Sequence, residues 1–345
     1  MMKSMRLFAQ LVSCAALAFL ALLASEAFAQ ANNRSDSGPI NTNPWGPSPN
    51  VRVAPPLGGS PFSFESPQEG AQGTAVPGVL YKPPERAKGA VVIVGAGGGI
   101  SNNREGHYAR SLSSAGYAVA IIDSYRARNV LSTIADNGAV SVFDQVRDAF
   151  AARKMLIESG YPADRIAVMG SGRGGTIALL AADKTFVPGV TDKRFALALA
   201  VSPGCILHPR TPKPVGSVFI ATAEKDAIVG QAGCRDWVKE YAAAGGKVTT
   251  KSYPRTASGF DGDPRDIAIY RDPSIETFGD CRVDVEADGR AQYDGKSFAE
   301  SQFAALITQM RKSCIGRGGG GYTNLTQKAN VTLDLIEFLD SNFGQ

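Results

Sequence analysis

No stretch constrains this chain more than Ile166-Ala167-Val168-Met169-Gly170-Ser171-Gly172-Arg173-Gly174-Gly175. Four apolar residues run straight into a glycine-dense turn, and residues 176–181 carry on with a helix-compatible composition. A strand, a tight turn and a helix in immediate succession are the setting of a nucleophile elbow, with glycines two residues either side of the tip. Those glycines are needed because the strained tip brings strand and helix backbones too close for side chains. If Gly170 and Gly174 are the flanking glycines, the tip falls on Gly172, which has no group to attack a carbonyl. Ser171 sits one position early, and successive side chains of a strand point to opposite faces.

The rest of the chain supplies a sheet around that turn. Ala90-Val91-Val92-Ile93-Val94 and residues 117–122 are unbroken apolar runs, as strands buried on both faces require. Further strands are expected at 78–81, 166–169, 196–201, 218–221 and 247–253. Val142, Val146, Ala149, Phe150, Leu156 and Ile157 recur at helical spacing, and so do Val331, Leu335, Phe338 and Leu339. Alternating strands and helices imply an α/β fold, a mostly parallel sheet with helices on both faces. Residues 261–297 break the rhythm, and Asp288-Gly289 there suggests a hairpin. At roughly 150 residues per domain, 345 residues would make about two domains. The unbroken alternation favours one domain over 61–345, with an insertion at about 261–297.

A second glycine loop, Gly95-Ala96-Gly97-Gly98-Gly99-Ile100, follows the 90–94 strand and invites a dinucleotide reading. The third glycine of that fingerprint would fall on Ile100. Asp123 lies 28 residues past Gly95, where the ribose-binding acid belongs about 20 residues on. No cofactor is expected. The 36 basic and 32 acidic residues are interspersed, so nothing suggests a nucleic-acid tract. No metal site is expected, since no His, Cys, Asp or Glu set has ligand spacing and the acidic Asp261–Asp263 loop lacks the twelve-residue calcium pattern.

Lys3 and Arg6, the apolar run 11–24 and Ala27-Phe28-Ala29 form a secretory signal with cleavage after about Ala29. A rival reading makes Leu11-Val12-Ser13-Cys14 a lipoprotein cleavage site, but the apolar run continues past Cys14. No later stretch approaches the roughly 18 apolar residues of a membrane span. Residues 30–60, rich in Asn, Ser, Pro and Gly, read as an extended leader. An exported, periplasmic or secreted protein is expected. Without Cys14 four cysteines are left, an even number suited to two disulfides in an oxidising compartment. Cys205 follows the 196–201 strand, and Cys234 opens the helix after the next strand. Neighbouring strands lie about 4.8 Å apart, so these two can pair, and Cys281 then ties the insertion to Cys314.

From about residue 75 onward the chain resembles the dienelactone hydrolase family of α/β-hydrolases. The likeness is carried by Val91-Val92-Ile93-Val94-Gly95, by Gly116-Tyr117-Ala118-Val119 through Arg128, and by Asp164 through Gly170 with Arg173-Gly174-Gly175. Ser202-Pro203-Gly204-Cys205, Glu224-Lys225-Asp226 and Tyr253-Pro254…Phe260-Asp261 extend it. The resemblance implies a Cys or Ser nucleophile, an acid and a histidine, in that order. It places the acid at Asp226 and the histidine within Pro-x-x-x-His-x-Phe-Asp, where this chain has Ser258. Two triad positions, Gly172 and Ser258, are therefore substituted. Serine is far too weak a base near neutral pH to activate a hydroxyl or protonate a leaving group.

Two histidines remain, His107 and His208, both after sheet strands. Ser171 with a relocated histidine, His208 foremost, is the alternative by which the chain would still hydrolyse esters or lactones. Oxyanion donors are expected from Gly97 or Gly98 and from Arg173, and Arg126 and Arg128 would favour anionic ligands. The expected function is thus a catalytically impaired family member that binds a small molecule, a carbonyl or anionic one, or a partner in its former active-site cleft. The sequence sets no oligomeric state.

Overall fold

The computed structural model describes residues 58–68, 71–187, 189, 194–265, 269–279 and 281–344. The expected signal peptide and residues 30–57 of the expected leader lie outside them. The main sheet is built from β1 (Ser60–Gln68), β2 (Ala71–Tyr81), β3 (Gly89–Val94), β4 (Tyr117–Ile122), β5 (Ile166–Ser171), β6 (Leu197–Val201), β8 (Ser217–Lys225) and β9 (Lys247–Ala257). Their spatial order is β1-β2-β4-β3-β5-β6-β8-β9. The strands from β3 to β9 pair in parallel, while β2 joins β4 and β1 joins β2 antiparallel. The sequence pointed to 78–81 alone at this edge. β1 begins inside the expected leader, where Phe62 and Phe64 pack against the core and Ser63 and Glu65 face solvent. That period-two pattern is short and interrupted by Pro61 and Pro67, so composition hid it.

The apolar strands divide their side chains between two cores, as the pleat dictates. Ala90, Val92, Val94 and Val168 pack on one face with helices α2 (Val142–Glu158) and α3 (Arg173–Ala181). Val91, Ile93 and Met169 pack on the other with α1 (Glu105–Ser114) and α6 (Leu325–Phe343). Trp237 and Tyr241 of α4 (Ala232–Ala243) stack on each other, with ring centroids 4.5 Å apart, and join the first core.

Between β9 and α6 the chain leaves the sheet for a lobe that runs on past residue 297 to Tyr322. β10 (Ile269–Thr277) pairs antiparallel with β14 (Gly316–Tyr322). A second small sheet orders β13 (Lys296–Phe298), β12 (Ala291–Tyr293), β11 (Val283–Val285) and β7 (Leu207–Pro209), and α5 (Phe303–Met310) packs beside it. The β11–β12 hairpin turns at Asp288-Gly289, as expected. β14 was not legible, because glycine is depleted in strands. A Cβ on Gly321 would stand 2.0 Å from the Ser258 carbonyl oxygen, and one on Gly320 2.9 Å from that of Tyr270. Close backbone approach is what these glycines permit.

The two disulfides are those expected, Cys205–Cys234 and Cys281–Cys314, with Cα separations of 4.9 and 5.3 Å. The first joins the end of the β6 loop to α4. The second clamps the lobe between β10 and β14. Among the described residues no helix is long and apolar enough to cross a membrane.

Candidate functional site

The turn between β5 and α3 has the conformation of an elbow. Gly172 stands at its tip with φ 53° and ψ −118°, a left-handed region costly for any residue but glycine. A Cβ on Gly170 would lie 2.3 Å from the Gly174 carbonyl carbon, and one on Gly174 2.2 Å from the Val94 carbonyl oxygen. No side chain fits at either position. The Gly172 N–H donates to the Val201 carbonyl at 2.8 Å, so the tip is tied to the carboxyl end of β6.

Asp226 follows β8 and Ser258 follows β9, at the same edge of the sheet. Ser258 Oγ donates to Asp226 Oδ1 at 2.5 Å, and the N–H groups of Ile228 and Val229 donate to the same carboxylate at 3.0 and 3.1 Å. Burial raises the Asp226 carboxyl above its ordinary pKa, and these hydrogen bonds pull it part of the way back. Gly172, Asp226 and Ser258 line one cavity of about 90 Å³, and Gly97 and Arg173 line it too. Its remaining walls are largely apolar, with Val142 from α2, Ile206 and Phe278 from the two disulfide-bearing loops, and Phe303 from α5.

The other candidates point elsewhere. Ser171 Oγ donates to Asp261 Oδ2, which also accepts from the Tyr108 hydroxyl at 3.0 Å, so its side chain belongs to a buried network beside α1. His208 lies on β7, with Nδ1 2.8 Å from Glu240 Oε2 and Nε2 3.0 Å from the Cys205 carbonyl oxygen. The Ser171–His208 pair is not formed. Gly98 is absent from the cavity lining. Arg126 is held by Asp123, and Arg128 by Asp148 at 2.8 Å, so neither guards the cavity.

Arg173 lines the cavity without offering its charge to it. Nε donates to Gln145 Oε1 at 2.6 Å, Nη1 to the Asn137 carbonyl and Oδ1 at 3.1 and 3.0 Å, and Nη2 to the Val140 carbonyl. Four of the five guanidinium donors thus hold the 137–145 segment against the elbow. Gly97 lines the cavity, and its carbonyl, which accepts from the Thr133 N–H at 2.7 Å, ties the 133 loop to it.

Two polar lining residues, Glu276 and Ser202, were not assigned to the site from the sequence. Glu276, wholly buried on β10, accepts from the Asn137 N–H at 2.8 Å and from Arg311 Nε at 2.6 Å. No local pattern marks it, because its partners come from distant segments. Ser202 follows β6, is 4% exposed and has φ 44°, and its Oγ finds no hydrogen-bond partner among the described residues. Its place just past an apolar strand, where α/β folds bind ligands, was a signal that could have singled it out.

His107, the second surviving histidine, lies on α1 away from the cavity. Thr332 Oγ1 donates to the Lys328 carbonyl at 2.7 Å, which leaves the hydroxyl a lone pair for His107 Nε2 at 3.2 Å. Burial, then the Lys328 and Arg110 charges, lower its pKa to about 4, against smaller opposing effects of Asp261 and Asp263. A histidine with a lowered folded-state pKa binds fewer protons folded than unfolded between about pH 6.5 and 4. Its contribution to stability is therefore present above that window and is lost as the pH falls through it. Discounted for partial exposure, the loss should be about 1–2 kcal/mol. Urea unfolding of wild type and His107→Gln at pH 7 and pH 4.5 should show the smaller acid loss in the variant. Equal losses would exclude this role.

The dienelactone hydrolase family model matches residues 76–276, more than half of the 345-residue chain. No curated protein matches the chain. Among solved structures, native esterase 2 of the planctomycete Thermogutta terrifontis is 18% identical with a TM-score of 0.47, covering 62% of this chain and 89% of that one. The same esterase phosphoramylated by tabun is 15% identical at a TM-score of 0.47, covering 74% and 95%. A Klebsiella pneumoniae protein described as a dienelactone hydrolase is 16% identical at a TM-score of 0.45, covering 59% and 88%. The matched span takes in the sheet from β3 to β9, the Gly170–Gly174 elbow and the loops of Asp226 and Ser258, and on that match this chain belongs to the dienelactone hydrolase family, with an α/β-hydrolase fold.

Proposed function

We propose that this protein is an exported member of the family that holds a small molecule in the former active-site cleft and does not cleave it. The observation that carries this reading is the residue at the tip of the elbow. Gly172 has the backbone of a nucleophile and no nucleophile. The rest of the site fits the same reading. Asp226 is positioned as a triad acid, yet Ser258 Oγ takes the hydrogen bond that an imidazole would make. A serine there can neither accept a proton from an attacking hydroxyl nor return one to a leaving group near pH 7. The alternative, hydrolysis through Ser171, draws no support from the geometry, since Asp261 holds that hydroxyl and His208 is bonded elsewhere. Export and the 1–29 signal peptide belong to the proposal, and two disulfides suit an oxidising compartment.

On this reading the folded protein hydrolyses p-nitrophenyl acetate no faster than the same protein in urea, after correction for the urea blank. Saturable turnover lost on Ser171→Ala would replace binding by a rearranged hydrolase.

A further inference from the structure

The chemistry of the ligand can be read from what the cavity leaves unpaired. Among the described residues three ionisable side chains line it, Arg173, Asp226 and Glu276. The Arg173 guanidinium is taken up by Gln145, Asn137 and Val140. Glu276 is paired with Arg311 and hydrogen-bonded by Asn137. Asp226 is different. Its partners are neutral, the Ser258 hydroxyl and backbone N–H groups, and it makes no ion pair among the described residues. A carboxylate held partly out of water, with no cation beside it, gains from any group that supplies the opposite charge. In the family's triad the residue beside the acid is a histidine, which becomes a cation when it takes up a proton; here it is Ser258, which cannot.

Ser202 gives a second, independent indication. Ser202 lines the same cavity, and its buried hydroxyl has no hydrogen-bond partner among the described residues, although buried hydroxyls are nearly always hydrogen-bonded. A hydroxyl can accept as well as donate. An ammonium group, with three N–H donors and no acceptor, could satisfy both the carboxylate and the hydroxyl. An anion would meet an unpaired carboxylate, and a neutral molecule would leave it unpaired.

We propose that the cavity selects a small organic ammonium ion, with its N–H groups bound by Asp226 and Ser202 and its apolar part against Ile206, Ile228 and Phe278. The cavity of about 90 Å³ is smaller than the roughly 150 Å³ apolar cavity that accommodates benzene, so an aliphatic body of about four carbons fits. This inference rests on the binding reading above and narrows it.

The test titrates the full chain at pH 8 by calorimetry with isobutylammonium, isobutanol and isobutyrate. The ammonium ion should bind at least about tenfold more tightly than the alcohol, with the carboxylate weakest. Asp226→Asn keeps the shape and an acceptor for Ser258, and should bind ammonium and alcohol alike. Ser202→Ala should lose about three- to fivefold for the ammonium ion, with an unchanged circular dichroism spectrum. Should Asp226→Asn not fold, the wild-type ligand series and Ser202→Ala still decide. An ammonium ion bound no better than the alcohol, no binding by any of the three, or an unchanged preference in a folded Asp226→Asn would overturn the proposal. Ester turnover would instead overturn the non-hydrolytic reading, which these titrations do not measure.

Discussion

The double variant Gly172→Ser/Ser258→His should hydrolyse p-nitrophenyl acetate at least about 100-fold faster than wild type, while neither single variant gains. The argument rests on what the scaffold keeps. Gly172 already has the tip conformation, with φ 53° and ψ −118°. Asp226 already receives a hydrogen bond from position 258 at 2.5 Å, and the three positions line one cavity. Serine alone would lack a base and histidine alone a nucleophile, so the effects should be strongly non-additive, as for residues that act as a unit. Positioned general acid–base catalysis contributes roughly 10²–10⁴-fold. A non-glycine residue in this backbone region costs on the order of 1–3 kcal/mol, so the variant should be less stable than wild type. Turnover unchanged in a folded double variant would mean that position 258 cannot present an imidazole to the tip.

Replacing Cys281 and Cys314 together by Ala should lower the unfolding free energy by about 3–4 kcal/mol. The pair is 33 residues apart in sequence, and the chain-entropy model gives about this value for a loop of that length. The loop it closes contains β11, β12, β13 and α5, none of which belongs to the main sheet. Small sheets of three-residue strands have little core of their own, so the restraint should matter more here than within the α/β body. Phe278, Phe303 and Ile307 come from this lobe and line the cavity. Loosening it should therefore weaken any bound ligand as well as the fold. Urea unfolding followed by circular dichroism measures the first effect. A loss below about 1 kcal/mol would show that packing alone holds the lobe.

The α/β body was legible because its physics is local and repeated. Ala90-Val91-Val92-Ile93-Val94 can only be a strand covered on both faces, and both cores claim alternate residues of it. The elbow was legible because close backbone approach leaves glycine as its mark at Gly170 and Gly174. The lobe was not. Gly316–Tyr322 forms a strand against propensity, because the ribbon crosses the backbone of Ser258 and Tyr270. In the site, Gly172 followed from the glycine spacing of the elbow and Asp226 and Ser258 from a family pattern, whereas Glu276 and the restraint on Arg173 depend on contacts between distant segments. Arg173 was expected to serve a ligand, and instead it fastens the 137–145 segment. A sequence displays which charges exist, but only the fold decides which of them are already paired.

The central claim is that the site lacks a working nucleophile, and labelling by a fluorophosphonate tests it most directly. Intact mass spectrometry of the folded protein after exposure to the probe should give the unlabelled mass. A stoichiometric adduct, mapped to Ser171, Ser202 or Ser258 and absent from the denatured protein, would contradict the claim.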